Sequence, residues 1–258
     1  MNKLKNKIVF ITGASSGIGR ASAIAFANEG ANLILAARRI ERLKELETEL
    51  IKKYNIKVLS IQLDVRKLND VKNAVASLKD EWRMIDILLN NAGLARGLSK
   101  IHEGDTNQWD EMIDTNIKGL LYVSRSVIPI MVERQLGHVI NIGSIAGHET
   151  YPNGNVYNAS KFAVKGLSKA MRLNLYNNNI RVTSIDPGMV NTEFSEVRFS
   201  GDKEKAGKVY NGFRPLTAED IADTVLWCVT RPSHVNISEV IIMPTAQGSA
   251  TLVDRKLP

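Results

Sequence analysis

The segment Ile8-Val9-Phe10-Ile11-Thr12-Gly13-Ala14-Ser15-Ser16-Gly17-Ile18-Gly19-Arg20 decides the fold. Its first four residues are apolar and mostly β-branched, the pattern of a short strand buried on both faces. A glycine-rich turn follows, and helical patterning then runs over 17–28. Gly13, Gly17 and Gly19 allow a sharp turn and a close approach of backbone to an anion. The helix N-terminus behind them offers free N–H groups and a favourable dipole. A lone glycine pattern says little. Set between the first strand and the first helix of an α/β chain, this one predicts a pyrophosphate site built from Gly13, Ser15, Ser16, Gly17, Ile18 and Gly19. The spacing is G-x₃-G-x-G.

Outward from this turn the same alternation repeats. Apolar runs at 8–11, 33–37, 58–61, 85–89, 139–142, 182–185 and 240–243 alternate with helical patterns at about 17–28, 40–53, 68–81, 107–134, 156–177 and 217–230. Thr217, followed by Glu219 and Asp220, reads as an N-cap with acids in the first turn. Strand–helix alternation throughout predicts a doubly wound α/β sheet of about seven parallel strands with helices on both faces. The chain reads as one domain, 1–258, without linker or repeat. Residues 188–216 break the rhythm with five glycines and prolines and no clear strand, and are expected to form a flap over the site.

The 258 residues are 24% charged and 44% hydrophobic, which excludes disordered, collagen-like and low-complexity classes. The net charge of +7 is spread among acids, as in Glu41-Arg42 and Lys79-Asp80-Glu81, so no nucleic-acid partner is expected. Cys228, the lone cysteine, rules out an internal disulfide framework or a cysteine-ligated metal, and no metal is expected. No apolar run approaches signal-peptide or membrane-span length, so no membrane partner is expected and the location is expected to be cytoplasmic.

The second strand ends Ala36-Ala37-Arg38-Arg39. An acid here would bind a ribose 2′-hydroxyl and repel a 2′-phosphate. Arg38 and Arg39 do the reverse, and so predict NADP(H) rather than NAD(H).

Four further motifs fall at strand ends or on one helix. They are Asn90-Asn91-Ala92-Gly93, Gly143-Ser144, Tyr157-Asn158-Ala159-Ser160-Lys161 and Pro187-Gly188-Met189-Val190. Tyr157 and Lys161 stand i, i+4 and share a helical face. A free tyrosine titrates near 10, too high for proton exchange at neutral pH, and a neighbouring ammonium is expected to lower it.

Taken together, these motifs resemble the short-chain dehydrogenase/reductase family, with its Rossmann-type fold, over nearly the whole chain. The resemblance implies Tyr157 as general acid/base, Lys161 on the nicotinamide ribose and Ser144 on the substrate oxygen. Asn116 would hold a water linking Lys161 to solvent. Asp64 and Val65 would hold adenine, and Asn91, Ala92 and Gly93 would wall the cleft. Pro187, Gly188 and Val190 would bind the cofactor, and Thr192, just after them, would meet the carboxamide. It also implies dimers or a homotetramer paired through the two long helices, about 107–134 and 156–177, and through the last strand with its helix. The tail from Pro244, without strand or helix signal, is expected to run along a neighbouring subunit.

The flap and the stretches around Tyr151-Pro152, His234 and Met243 are similar to the NADP-dependent 3-hydroxy acid dehydrogenases of this family, which act on serine, allo-threonine and 3-hydroxypropionate-like acids. A small acid needs a cation for its carboxylate; Arg198 is the first candidate and Arg96 the second. Reduction of another small ketone or aldehyde, and a non-enzymatic dinucleotide-binding regulator, stay open as alternatives.

Overall fold

The structure is a computed structural model describing residues 3–256. Every apolar run is a strand: β1 (Ile8–Thr12), β2 (Asn32–Ala37), β3 (Val58–Gln62), β4 (Ile85–Asn90), β5 (Gly137–Ile142), β6 (Ile180–Pro187) and β7 (Glu239–Ile242). The helices are α1 (Gly17–Asn28), α2 (Ile40–Tyr54), α3 (Leu68–Ala76), α4 (Thr106–Ile113), α5 (Leu120–Arg134), α6 (Asn155–Leu175), α7 (Phe194–Arg198), α8 (Lys203–Lys208) and α9 (Ala218–Val229). The strands pair in parallel in the order β3-β2-β1-β4-β5-β6-β7. The order reverses at β1, which opens a crevice beyond the C-terminal ends of β1 and β4.

Side-chain alternation divides the core between two faces. Val9, Ile11, Leu33 and Leu35 point to one side and meet Phe26 of α1, Leu46 and Leu50 of α2, and Val225 of α9. Ile8, Phe10 and Ile34 point to the other and meet Val71 of α3, Val127 and Met131 of α5, and Leu175 of α6. Central strands covered twice lose the apolar–polar alternation of a half-exposed sheet, which is why their sequences read as unbroken apolar runs.

Two expected helices are interrupted. The pattern at 68–81 stops at Ala76, where the Ser77 hydroxyl turns back onto the Ala74 carbonyl; a 3₁₀ turn follows at Asp80–Arg83. The pattern at 107–134 is broken by a π-helical turn, Asp114–Gly119. Its cause is tertiary: Asn116 bonds the Leu94 backbone, and Gly119 lies so close to Val65 that a Cβ would meet Val65 Cγ2 at 2.6 Å. Thr217 does cap α9, in a reciprocal box with Asp220.

The flap leaves and rejoins the sheet at one point. Val190 bridges Leu216, with Asn191 N–H donating to the Leu216 carbonyl and Leu216 N–H to that of Met189. Between these ends lie the short helices α7 and α8. Within the chain, residues of the tail fold back over the flap and their own segment. Asp254 N–H donates to the Ala246 carbonyl, and the Arg255 guanidinium reaches the Val209 carbonyl of the flap at 3.1 Å. Among the described residues no helix is long and apolar enough to cross a membrane.

Candidate active site

The crevice is a cavity of about 630 Å³, within the range of small-molecule and cofactor sites. Its floor is the glycine turn. Gly13 and Gly17 have φ of +66° and +51°, a region costly for other residues. A Cβ on Gly19 would collide with the Gly13 carbonyl, so the turn folds tightly onto α1. Ser16 caps α1 without a side-chain hydrogen bond, leaving first-turn N–H groups to face the cavity. Asn91 fastens the turn from the side: its Nδ2 donates to the Thr12 carbonyl at 2.9 Å and the Gly13 carbonyl at 3.2 Å.

At the β2 end the two arginines diverge. Arg39 donates to Ser15 Oγ at 3.2 Å and Ser16 Oγ at 2.7 Å, and reaches Glu193 of the flap at 2.9 Å. Arg38 stands half exposed at the cavity mouth, 3.8 Å from Glu111. Asp64 is clasped by Arg66, whose Nε lies 2.9 Å from Oδ1 and whose NH2 lies 2.6 Å from Oδ2. That bonding outweighs burial and holds the carboxyl below its ordinary range. With Val65 it lines the cavity beside Arg38. The residues present therefore fit a dinucleotide with a 2′-phosphate: a glycine cradle, open N–H groups, and two arginines where an acid would oppose the phosphate.

At the opposite end Ser144, Tyr157 and Lys161 converge. All three line the cavity, with Asn91, Ala92, Gly93, Pro187, Gly188, Val190 and Thr192 around them. Lys161 Nζ donates to the Ile142 carbonyl at 2.9 Å and lies 5.8 Å from the centre of the Tyr157 ring. Burial pushes Lys161 down to about 8, against an opposing pull from Asp186. The expected lowering of Tyr157 is not found in the protein's own groups. Burial pushes the phenol above 10, and the groups that pull it back are Arg198 and the Ser144 hydroxyl. Lys161 is itself desolvated and aimed at a carbonyl, which blunts its effect on the phenol.

Three expected residues lie off the cavity lining. Gly19 sits behind the turn it shapes. Asn116 has both amide hydrogens committed, to the Leu94 carbonyl at 2.8 Å and Ser160 Oγ at 3.0 Å, and its Oδ1 accepts Leu94 N–H. Its side chain thus ties α6, one residue before Lys161, to the β4 loop. Arg96 is corrected as a carboxylate ligand: Glu111 takes its Nε at 2.7 Å and the Val197 carbonyl takes NH1 at 2.7 Å. It anchors the flap.

Arg198 does enter the cavity. Its guanidinium carbon lies 4.9 Å from the Tyr157 ring centre and 5.3 Å from that of Phe194. Its NH2 donates to the Tyr151 hydroxyl at 2.7 Å, and its Nε is buried without a partner. Tyr151 and Gln247, whose Oε1 accepts Met189 N–H at 2.8 Å, are site residues the sequence reading gave no role. Both come from segments without a periodic signal, and only the fold brings them here.

The short chain dehydrogenase family model matches residues 7–203. An NADP-dependent 3-hydroxy acid dehydrogenase of Salmonella typhi is 49% identical over 246 residues, covering 95% of this chain and 98% of that protein. One from Schizosaccharomyces pombe is 43% identical over 257 residues, covering 99% of each. Among solved structures, the closed form of a serine dehydrogenase complexed with NADP+ superposes with a TM-score of 0.90 at 47% identity, covering 95% of this chain and 98% of that one. The match in sequence over nearly the full length and the convergence of Ser144, Tyr157 and Lys161 on one crevice place the chain in the short-chain dehydrogenase family.

Proposed function

We propose that this chain is an NADP-dependent dehydrogenase of small 3-hydroxy acids, such as serine, allo-threonine or 3-hydroxypropionate-like acids. The observation that carries the reading is Arg198, a cation with an unpartnered Nε set over the ring of Tyr157. A buried unpaired donor is costly unless a ligand completes it. A carboxylate held there would present its 3-hydroxyl to Tyr157, and the names of the relatives point to the same substrate class.

In this reading the bound dinucleotide supplies the hydride acceptor or donor. Tyr157 Oη takes the proton of the substrate hydroxyl in oxidation and returns it in reduction. Ser144 Oγ bonds the same oxygen and stabilises its developing charge. Lys161 would hold the nicotinamide ribose. Arg38 and Arg39 would hold the 2′-phosphate, and Asp64 and Val65 the adenine. A mere binding module has no use for this proton-transfer set.

The test is Arg198→Met, assayed on L-serine or 3-hydroxypropionate beside a neutral alcohol. Losing a charge-assisted contact of roughly 2–3 kcal/mol lowers kcat/KM on the acid about thirty- to more than a hundredfold and spares the alcohol. Equal loss on both, or none on the acid, removes Arg198 from that role.

The same reading makes the protein a cytoplasmic homotetramer. Support for the assembly comes from apolar side chains left exposed on the family's pairing elements: Phe162 and Leu173 on α6, Trp227 on α9 and Ile241 on the edge strand β7. Light scattering showing a monomer at micromolar concentration would refute the assembly.

A further inference from the structure

Behind the Ser144 turn lies a second charged cluster that the proton transfer does not use directly. His148 Nε2 lies 2.7 Å from Asp186 Oδ2 and 3.1 Å from Glu239 Oε1. Its Nδ1 lies 2.7 Å from Lys165 Nζ, which is also 3.6 Å from Glu239. An ammonium can only donate, so Nδ1 is the acceptor and the ring hydrogen sits on Nε2, facing the carboxylates. The three acid and imidazole groups come within 4.8 Å of one another, but Lys165 already supplies their cation.

Two connections join this cluster to the reacting centre. Asp186, 1% exposed, packs so closely on Gly143 that a Cβ there would collide with its Oδ1. Gly143 stands between Ser144 and Ile142, whose carbonyl accepts Lys161 Nζ. Lys165 is one turn beyond Lys161 on α6, and Lys161 one turn beyond Tyr157, so the three share a face.

We propose that Asp186, fastened by His148, is the buried counter-charge that keeps Lys161 an ammonium, and so acts as a positioning residue for the Tyr157–Lys161 pair. The charged and titratable groups that bear on the pair are Tyr157, whose ring centre lies 5.8 Å from Lys161 Nζ, Arg198 of the flap, set over that same ring, and Asp186 of β6. Asn116 and Gly93, from the π turn and the β4 loop, are neutral. His148, Lys165 and Glu239 stand behind Asp186. Burial lowers Lys161 to about 8 and Asp186 opposes it. Asp186 is itself raised by burial, and hydrogen bonds from Ser184 Oγ, at 2.6 Å, and from His148 oppose that rise. The His148 hydrogen bond thus favours the ionised carboxylate against burial.

The inference rests on the family's chemistry and not on the hydroxy acid assignment, so any alcohol the wild-type enzyme oxidises serves in the test. The pH profile of kcat/KM is compared for wild type, Asp186→Asn and His148→Gln, with melting curves to establish folding. Loss of the buried charge is expected to move the alkaline limb down by about one pH unit in Asp186→Asn, and by less in His148→Gln. A second readout needs no turnover: the pH at which an amine reagent begins to label Lys161, followed by mass spectrometry, shifts the same way. If Asp186→Asn does not fold, His148→Gln alone decides. An unmoved limb and labelling midpoint in a folded variant, or an activity loss equal at every pH, overturns the proposal.

Discussion

Arg198 of the flap holds its guanidinium carbon 4.9 Å from the ring centre of Tyr157 on α6. The flap thus sets a cation over the ring of the tyrosine proposed to exchange the proton. That charge works against burial, the larger influence, which raises the phenol above its ordinary value. The position of the flap and the acidity of Tyr157 are therefore coupled: lifting Arg198 away leaves the phenol a weaker acid.

Tyr157→Phe removes the hydroxyl and leaves the ring packed on Phe194, 5.6 Å centre to centre. We expect kcat to fall about 10²–10⁴-fold, the usual worth of general acid–base catalysis, with dinucleotide affinity nearly unchanged in a fluorescence titration. Turnover near the wild-type rate would remove Tyr157 from the mechanism.

Arg38→Asp places an acid where the 2′-phosphate is proposed to bind. The ratio of kcat/KM for NADP+ over NAD+ should drop by about ten- to more than a hundredfold, since a charge-assisted contact of roughly 1.5–3 kcal/mol is lost and repulsion added. An unchanged ratio would transfer the selectivity to Arg39, which already bonds Ser15 and Ser16.

Gly19→Ala inserts a methyl group against the Gly13 carbonyl and, at 2.5 Å, against Asn91 Nδ2. Backbone cannot yield as a flexible side chain does, so the glycine turn must open. Dinucleotide binding, followed by calorimetry, should weaken at least tenfold, about 1.4 kcal/mol. Normal affinity would show that the turn tolerates a wider path.

His138 governs part of the acid stability. It is buried in β5 with Nε2 2.8 Å from Thr183 Oγ1, and burial pushes it down to about 3 from 6.5. Above 6.5 the ring is neutral folded or unfolded and contributes no pH dependence. Between 6.5 and 3 only the unfolded chain takes the proton, so stability is lost as pH falls through that window, by up to about 1.4 kcal/mol per pH unit from this group. His138→Gln should flatten the slope there in urea titrations; an unchanged slope would show the ring charging without unfolding.

Much of this protein follows from its sequence by local rules. The central strands carry unbroken apolar runs because helices cover both faces of the sheet, and their alternation with amphipathic stretches settles a parallel, doubly wound order. The glycine turn is legible because left-handed backbone and close approach admit little else at Gly13 and Gly17. Tyr157 and Lys161 are legible because helical spacing alone puts them on one face. Tertiary structure decided what depends on segments distant in sequence. Asn116 breaks a continuous helical pattern because its amide finds the Leu94 backbone. Of the two proposed cations, Arg198 enters the cavity while Glu111 claims Arg96, and no local pattern distinguishes them. The acidity of Tyr157 was the clearest reversal: spacing showed the nearby ammonium, but the cost of burying the phenolate exists only once the chain has closed around it.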